Sequence, residues 1–292
     1  MSIGIWLFRK RCIKADSARD ANNKTPDTVE RFDNIQYGLD EKYQLLDVYR
    51  PKGMNGMLPV IVSVHGGGWV YGDKDVYQYY CMSLARRGFI VVNFTYRLAP
   101  KHKHPAQLED TNLVFEWLLA HAAQYSIDTD KIFAVGDSAG ATILGLYTAI
   151  LTNSQYAKQY NLKVPENLHI RALGLNCGIY NMHEGGKQSF LKAFLEKQGT
   201  NEELDQMSLL LHITRDFPPC FIMTSVKDYL KNEAPALVET LEKYEIPHEY
   251  KVYGAENNPL YHVFHCDVNS RDAKIANNAE CAFFMKILNQ SV

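Results

Sequence analysis

The chain has 292 residues, 46% of them hydrophobic and 22% charged, which is ordinary for a globular protein with a sizeable core. Its formal net charge of −2 offers no overall field that would attract nucleic acid or an anionic membrane. We therefore expect neither nucleic acid nor a membrane as a partner.

Residues 1–30 are polar and helix-like. Their apolar start is followed, not preceded, by basic residues, so it lacks the order of a secretion leader. No run of about 18 apolar residues occurs in the chain, so no membrane span is predicted. Six cysteines are scattered without Cys-x-x-Cys spacing, which favours free thiols over disulfides or a zinc site. These features predict a cytoplasmic protein without a bound metal.

Apolar, β-branched runs alternate with helical patterns along the rest of the chain. Strands are predicted at 45–50, 60–64, 89–95, 131–135, 170–176, 220–224 and 248–253. Helices are predicted at 76–87, 107–123, 139–153, 233–244 and 273–288. Most of the later strands are apolar throughout, as in a parallel sheet buried on both faces. The alternation predicts an α/β fold with right-handed crossovers and helices on both sheet faces.

Two segments interrupt this alternation, namely residues 1–30 and residues 180–217. The second contains a Gly185-Gly186 turn and short helical patterns between two predicted strands. We expect both segments to form a small lid over the C-terminal ends of the strands, where an α/β sheet binds its ligand. The domain prediction is one domain spanning 1–292, with these segments as cap elements.

Two glycine-rich motifs carry the predicted chemistry. Residues 65–69 read His-Gly-Gly-Gly-Trp after a predicted strand, and residues 136–140 read Gly-Asp-Ser-Ala-Gly between a predicted strand and a predicted helix. Strand, tight turn and helix are the context that makes Gly-x-Ser-x-Gly a nucleophile elbow. The flanking glycines let Ser138 occupy a strained turn with its Oγ exposed. A phosphate-binding turn is the alternative, but the glycine patterns it requires do not occur here.

These motifs, with Tyr-Arg-Leu-Ala-Pro at 96–100 and Pro-Ala at 105–106, resemble the hormone-sensitive-lipase-like branch of the α/β-hydrolases, the bacterial family IV esterases. The resemblance runs from about residue 37 to the C-terminus. It implies the α/β-hydrolase fold, with a mostly parallel eight-stranded sheet and a cap built from the N-terminus and an insertion. It also implies hydrolysis of carboxylic esters without a cofactor.

An oxyanion hole is the first further requirement of acyl transfer, because negative charge develops on the substrate carbonyl oxygen. The N–H of Ala139, directly after Ser138, is expected to be one donor. The resemblance implies that the N–H groups of Gly67 and Gly68 are the others. His65 is expected to hold this loop by hydrogen bonding and not to act as a base.

A histidine base and a carboxylate are the other requirements, and in this fold they follow the serine in the order acid, then histidine. His262 lies after the last predicted strand and is the predicted base, with His265 as the alternative. The other late histidines fit core or surface positions; they are His169, His183, His212 and His248. Val263 stands where the family usually has glycine, and the loop before His262 is longer than usual.

Asp228 is the predicted carboxylate, because it lies just past the predicted strand 220–224. The family commonly has Asp-Pro-Leu-x-Asp here, whereas residues 228–232 read Asp-Tyr-Leu-Lys-Asn. The first acid is kept, and the proline and second acid are missing. Glu233 and Glu256 are the alternative acids.

The predicted function is that of a serine carboxylesterase acting on short-acyl, small-molecule esters. An amidase or peptidase uses the same triad, and a binding protein can share the fold, so both stay open as alternatives. Aromatic residues near the oxyanion loop either line a small acyl pocket or pack; they are Trp69, Tyr71, Tyr79 and Tyr80. Acetyl groups on a carbohydrate are one candidate substrate, and a homodimer is the default oligomer.

Overall fold

The computed structural model describes residues 2–185 and 188–290, and within them eight strands form one sheet. The strands are β1 (Val29–Gln36), β2 (Leu45–Pro51), β3 (Leu58–Val64), β4 (Ile90–Phe94), β5 (Ile127–Asp137), β6 (Ile170–Asn176), β7 (Cys220–Ser225) and β8 (His248–Tyr253). Their order across the sheet is β1-β2-β4-β3-β5-β6-β7-β8. The β1–β2 and β2–β4 pairs are antiparallel and all the others are parallel. The predicted mostly parallel sheet is confirmed.

Helices cover both faces of this sheet. The described helices are α1 (Ile3–Asp20), α2 (Lys74–Ala85), α3 (Ala106–Tyr125), α4 (Ala139–Thr152), α5 (Ser154–Ala157), α6 (Met182–Gly185), α7 (Gln188–Phe194), α8 (Asn201–Met207), α9 (Glu233–Lys243) and α10 (Arg271–Asn289). Alternate residues of β3 enter different cores, because side chains in a strand alternate between its faces. Val60 and Val62 belong to the core that also contains residues of α3, α4 and α9, whereas Ile61 belongs to the core that contains residues of α2 and α10. Burial on both faces explains the continuous apolar runs.

One strand was not predicted from the pattern, namely the edge strand β1. Its sequence, Val-Glu-Arg-Phe-Asp-Asn-Ile-Gln, is mostly polar, and the pairing with β2 shifts register between Phe32 and Ile35. Asn34 has a positive φ of 58° within this irregularity. The polarity and the bulge together remove the apolar alternation that identifies a strand.

The two segments that interrupt the alternation contain helices. Residues 1–30 contain α1, whose Arg9 donates hydrogen bonds to the carbonyl oxygens of Val70 (2.6 Å) and Ala99 (3.0 Å). Residues 180–217 contain α6, α7 and α8; Gly186, in the predicted Gly185-Gly186 turn, lies outside the described residues. In the part of the chain that the structure describes, no helix has the length and apolar character needed to cross a membrane.

The buried carboxyl group of Glu280 joins α10 to the end of β6 and to α2. Glu280 of α10 is fully buried and accepts hydrogen bonds from the Asn176 side chain (2.7 Å) and the Tyr80 hydroxyl (2.9 Å). Gly174 leaves the space for this carboxyl group, because a Cβ there would overlap it. Burial raises the pKa of Glu280 to about 7, although both hydrogen bonds act to lower it.

The raised pKa of Glu280 predicts a pH-dependent stability. The pKa of Glu280 rises from 4.5 in the unfolded chain to about 7 in the folded one. Its contribution to the free energy of unfolding is therefore complete below pH 4.5 and is lost as the pH rises through 7. Glu280→Gln stays neutral throughout and should remove a fall of about 3 kcal/mol in the free energy of unfolding over this range. Urea unfolding at pH 5 and pH 8 measures the change. Exposed Glu239→Gln should keep the wild-type fall, and an unchanged fall in Glu280→Gln would contradict the prediction.

Candidate active site

Ser138 lies in a strained turn between β5 and α4. Its φ of 52° and ψ of −121° place a non-glycine residue in an unfavourable backbone region, which costs on the order of 1–3 kcal/mol. The turn is this sharp because the start of α4 runs against the end of β3. A Cβ at Gly140 would overlap the carbonyl oxygen of Val64, so only glycine fits there. The strand, turn and helix predicted for the elbow are all present.

The loop after β3 brings backbone N–H groups to the same edge of the sheet. Gly67 and Gly68 have positive φ values of 116° and 60°. A Cβ at Gly67 would overlap the carbonyl group of Tyr71, which lies in the same turn. The N–H groups of Val70 (3.2 Å) and Tyr71 (3.0 Å) donate to the Gly67 carbonyl oxygen and hold the turn closed.

The Tyr77 hydroxyl joins this loop to the elbow. It accepts a hydrogen bond from the N–H of Gly66 (3.0 Å) and donates its single hydrogen to Oδ2 of Asp137 (2.7 Å). Asp137 directly precedes Ser138 and is buried, and burial raises its pKa to about 6, against the effect of the Tyr77 hydrogen bond. The loop and the elbow are therefore linked by one buried hydroxyl.

His65 is a structural part of the same loop. Its Nδ1 lies 2.7 Å from the carbonyl oxygen of Gly66, and because a carbonyl only accepts, Nδ1 carries the hydrogen. The imidazole stacks on Tyr96 with ring centroids 3.9 Å apart, and the Tyr96 hydroxyl donates to the His65 carbonyl oxygen (2.9 Å). Burial lowers the pKa of His65 to about 4, so the ring is neutral near pH 7. This geometry agrees with the expectation that His65 holds the loop.

Three side chains from separate loops meet at this edge of the sheet. Ser138 follows β5, Asp228 follows β7 and His262 follows β8. His262 Nε2 lies 3.0 Å from Ser138 Oγ, and His262 Nδ1 lies 2.8 Å from Asp228 Oδ1. The structure therefore brings all three sequence-predicted side chains into one hydrogen-bonded row.

Asp228 is held as a carboxylate by several donors. Besides His262, its oxygens accept from the N–H of Leu230 (2.9 Å) and the hydroxyl of Thr224 (2.9 Å). Burial acts to raise the pKa of Asp228, but the hydrogen bond and charge of His262 and the N–H of Leu230 lower it overall. Nδ1 of His262 therefore carries the hydrogen toward Asp228, and Nε2 is left to accept the hydrogen of Ser138.

The alternative base and acids have other partners. His265 is buried beside Cys266, and burial lowers its pKa to about 3; His262, not His265, contacts Ser138. Glu233 accepts hydrogen bonds from two backbone N–H groups of the segment that leads into α6, and Glu256 is exposed. Asp228 is the acid that contacts His262.

The two departures around His262 have structural explanations. Val263 adopts the left-handed conformation with φ 52° and ψ 32°, which glycine adopts without strain. The long loop before His262 is held against the end of β7 by two hydrogen bonds. The Ser225 hydroxyl donates to the carbonyl oxygen of Tyr261 (3.0 Å), and the N–H of Lys227 donates to the carbonyl oxygen of Leu260 (3.0 Å). The chain therefore keeps the glycine-like turn without a glycine.

Tyr77 and Thr224 were not identified from the sequence. Tyr77 lies on α2, far along the chain from Asp137, and no local pattern links the two. Thr224 lies near the end of β7, four residues before Asp228. A hydroxyl group at that position was the signal in the sequence that could have indicated its hydrogen bond to Asp228.

A cavity of about 990 Å³ opens above these side chains, and Ser138 and His262 line it. Phe8 of α1 and Phe190 of α7 pack edge to face across it, with ring centroids 4.9 Å apart. Both rings lie close to the loop after β3, since a Cβ at Gly68 would lie 3.8 Å from Phe8 and 3.9 Å from Phe190. Among the four aromatics considered from the sequence, two line the cavity and two do not; the former are Trp69 and Tyr71, and the latter Tyr79 and Tyr80.

Two groups of potential metal ligands occur here among the described residues. One comprises Asp137, His265 and Cys266, and the other Cys177, Asp228 and His262, each with ligand atoms within 4.8 Å of one another. In both groups the carboxylate already accepts short hydrogen bonds from neighbouring side chains. The donor set around His262 fits the relay of a proton better than the coordination of an ion.

Comparison with known proteins gives one family match and several relatives. The BD-FAE family profile matches residues 46–237, which is more than half of the chain. An acetyl esterase of Salmonella schwarzengrund (strain CVM19633) is 30% identical over 213 residues, covering 70% of this chain. The chain covers 65% of that protein's own length.

Solved structures share the fold over nearly the whole chain. Esterase B from Lactobacillus rhamnosis, inhibited by a tributyrin phosphonate, superimposes with a TM-score of 0.90 at 23% identity, covering 98% of this chain and 95% of that one. A Pyrobaculum calidifontis esterase superimposes with a TM-score of 0.78 at 20% identity, covering 99% and 94%. Both are similar in fold to this chain, whose α/β-hydrolase architecture is confirmed.

The Tyr77 bridge predicts a measurable loss of stability. Tyr77→Phe leaves the Gly66 N–H and the Asp137 carboxyl group buried without their shared partner, which should cost about 2–4 kcal/mol in the free energy of unfolding. Urea unfolding at pH 7 measures the loss. Tyr43→Phe, at a half-buried ring before β2, is the control. A Tyr77→Phe protein as stable as the control would contradict the bridge.

Proposed function

The chain belongs to the BD-FAE family, and from that membership and the geometry of the cavity we propose that it is a serine carboxylesterase acting on short-acyl esters. The family resemblance inferred from the glycine motifs is confirmed. The observation that carries the proposal is the row of hydrogen bonds from Ser138 through His262 to Asp228, at 3.0 Å and 2.8 Å. In this proposal Ser138 is the nucleophile, His262 the base and Asp228 the acid that orients it.

Acylation begins with the transfer of the Ser138 proton to His262 Nε2 while Oγ attacks the ester carbonyl carbon. Asp228 stabilises the imidazolium that forms, because it is ionised and already accepts from Nδ1. The tetrahedral intermediate then releases the alcohol, which takes the proton from His262. Water repeats the cycle on the acyl-enzyme and regenerates Ser138.

The oxyanion hole in this proposal consists of the N–H groups of Gly67, Gly68 and Ala139. The first two lie in the tight turn after β3, and Ala139 is the first residue of α4, whose N-terminus offers unpaired N–H groups and a positive dipole end. Each donor aimed at the developing charge contributes about 3 kcal/mol to transition-state stabilisation. The Tyr77 bridge keeps the loop and the elbow at a constant separation.

The proposed substrates are esters with a short acyl group, acetyl esters among them. The Phe8 and Phe190 rings lie against the loop after β3, beside Gly68. In this proposal they bound the acyl side of the site, and the alcohol takes the remainder of the cavity. The acetyl esterase named above supports this choice of acyl group. We also propose that residues 1–30 and 180–217 act as the cap of a single domain, since α1 and α7 supply these two rings.

An amidase is the second candidate, and the same three side chains can serve it. A non-catalytic binding protein is the third, and it is disfavoured because all three reacting side chains are present and in hydrogen-bonding contact. Hydrolysis of esters against matched amides distinguishes the first two, and the absence of any turnover in a folded protein would favour the third.

Ser138→Ala should abolish ester hydrolysis while the protein stays folded. The p-nitrophenyl esters of acetate, butyrate and octanoate are the substrates, with turnover expected to peak at acetyl to butyryl. Loss of the nucleophile should lower kcat by about 10⁴-fold or more. Ser154→Ala, at an exposed serine of α5, should keep wild-type turnover. Substantial activity in clean Ser138→Ala protein would refute the assignment.

Asp228→Asn should lower kcat by about 10⁴-fold without a comparable change in KM. The asparagine amide would donate to Nδ1 of His262, so that Nε2 carries the hydrogen and has no lone pair left for the Ser138 proton. Steady-state kinetics on p-nitrophenyl acetate give both constants. The exposed Asp216→Asn variant is the control, and a kcat close to that of the control would show that Asp228 is not the acid.

A further inference from the structure

One side of α1 exposes an apolar and basic surface to solvent. Four large apolar side chains on it are between 48% and 78% exposed; they are Ile3, Trp6, Leu7 and Ile13. Because residues three and four apart lie on the same side of a helix, these four form one stripe with Lys10 and Lys14, here called the outer stripe of α1. Apolar residues that are grouped on an exposed surface, unlike single ones, indicate an interaction site.

The charge of this part of the helix is entirely positive. Residues 3–15 include four basic residues and no acidic one. Arg9 is directed inward, to the backbone carbonyl oxygens described above. The other three, Lys10, Arg11 and Lys14, are exposed and form no ion pair with a described residue. The net charge of −2 for the whole chain gave no reason to expect a membrane partner, but that sum conceals this local excess.

The composition of the outer stripe fits an anionic lipid surface better than a second copy of the chain. A two-fold contact through the stripe would bring lysines toward lysines, and like charges at an interface are unfavourable. Anionic headgroups instead attract basic side chains, while apolar side chains enter the boundary between headgroups and acyl chains. Tryptophan is enriched at that boundary, and the ammonium group of Lys10 lies 5.9 Å from the centroid of the Trp6 ring.

The opposite side of the same helix faces the cavity. Phe8, Cys12 and Ala15 follow one another at spacings of four and three residues, and all three line the cavity. At 3.6 residues per turn they lie on the side of α1 away from the outer stripe. The cavity is therefore separated from whatever binds the stripe by about one helix diameter, roughly 10 Å.

We propose that the outer stripe of α1 binds the surface of an anionic lipid bilayer, with the helix lying in the plane of the headgroups. The apolar side chains of the stripe insert at the boundary with the acyl chains, and its lysines pair with headgroup phosphates. Bound in this way, the protein holds its cavity next to the lipid. Esters dissolved in the bilayer then reach Ser138 from that side, a consequence that rests on the proposed function.

Sedimentation with lipid vesicles tests the charge requirement. The vesicles contain phosphatidylcholine alone or with about one third phosphatidylglycerol, which is anionic. We expect the full chain to bind the anionic vesicles only, and to bind them less in about 0.5 M salt because of screening. Lys10→Gln combined with Lys14→Gln should lower the partition coefficient about tenfold or more. Lys52→Gln combined with Lys274→Gln, at exposed lysines elsewhere, makes the same change in charge and should bind as wild type does.

Trp6 provides a probe within the outer stripe. Among the three tryptophans, all of them in the described part of the chain, Trp6 is 48% exposed, whereas Trp69 and Trp117 are 1% and 7% exposed. Insertion of Trp6 into the lipid boundary should shift the emission of the protein to shorter wavelength on anionic vesicles. Trp6→Phe keeps an apolar ring, so it should still sediment with these vesicles but should lose the shift.

Several results would overturn the inference. They are no binding to anionic vesicles, equal binding by the two double variants, and binding without a change in Trp6 emission, which would assign the contact to another surface. A dimer in light scattering that Trp6→Glu converts to a monomer would assign the stripe to a second copy of the chain. Hydrolysis of p-nitrophenyl acetate without lipid is measured separately on wild type. Failure of the proposed function appears in that assay, and failure of this inference appears with the vesicles.

Discussion

The close approach of α4 to β3 is the constraint on which the rest of the site depends. Because Gly140 has no Cβ, the start of α4 can lie against the backbone of Val64 and His65. That contact brings the first N–H groups of the helix beside the loop after β3, and it forces Ser138 into its strained turn. The strain is maintained because β5 is paired on both sides within the sheet and α4 is buried along its length. A larger residue at Gly140 would separate the two halves of the proposed oxyanion hole.

Much of this arrangement could be predicted because the decisive signals are local. The parallel strands are apolar throughout, and the elbow and the loop after β3 are short glycine patterns with steric causes. Asp228 and His262 could be placed because both follow strands, and the carboxyl ends of parallel strands meet at one edge. The departure at Val263 could be noted from the sequence, but only the structure shows that valine takes up the left-handed turn that glycine normally occupies.

The features that escaped prediction depend on contacts between distant parts of the chain. The edge strand β1 has a polar, bulged sequence, and its pairing with β2 is what makes it a strand. The Tyr77–Asp137 and Tyr80–Glu280 hydrogen bonds join α2 to β5 and to α10, and nothing in the local pattern around either tyrosine indicates a partner. Whether Asp137 and Glu280 are neutral or ionised depends on their burial, which is a property of the whole fold. The sequence shows that these acids are present but not what surrounds them.

The anchoring of α1 has a consequence for the order in which the molecule assembles. Arg9 binds carbonyl oxygens that lie 61 and 90 residues further along the chain, so its partners are synthesised long after it. Contacts of such sequence separation close large loops and form after the local ones. This segment, which is synthesised before the partners of Arg9, is therefore expected to dock among the last. Phe8 travels with it, so the cavity gains this wall only once the sheet, the elbow and the loop after β3 have already folded.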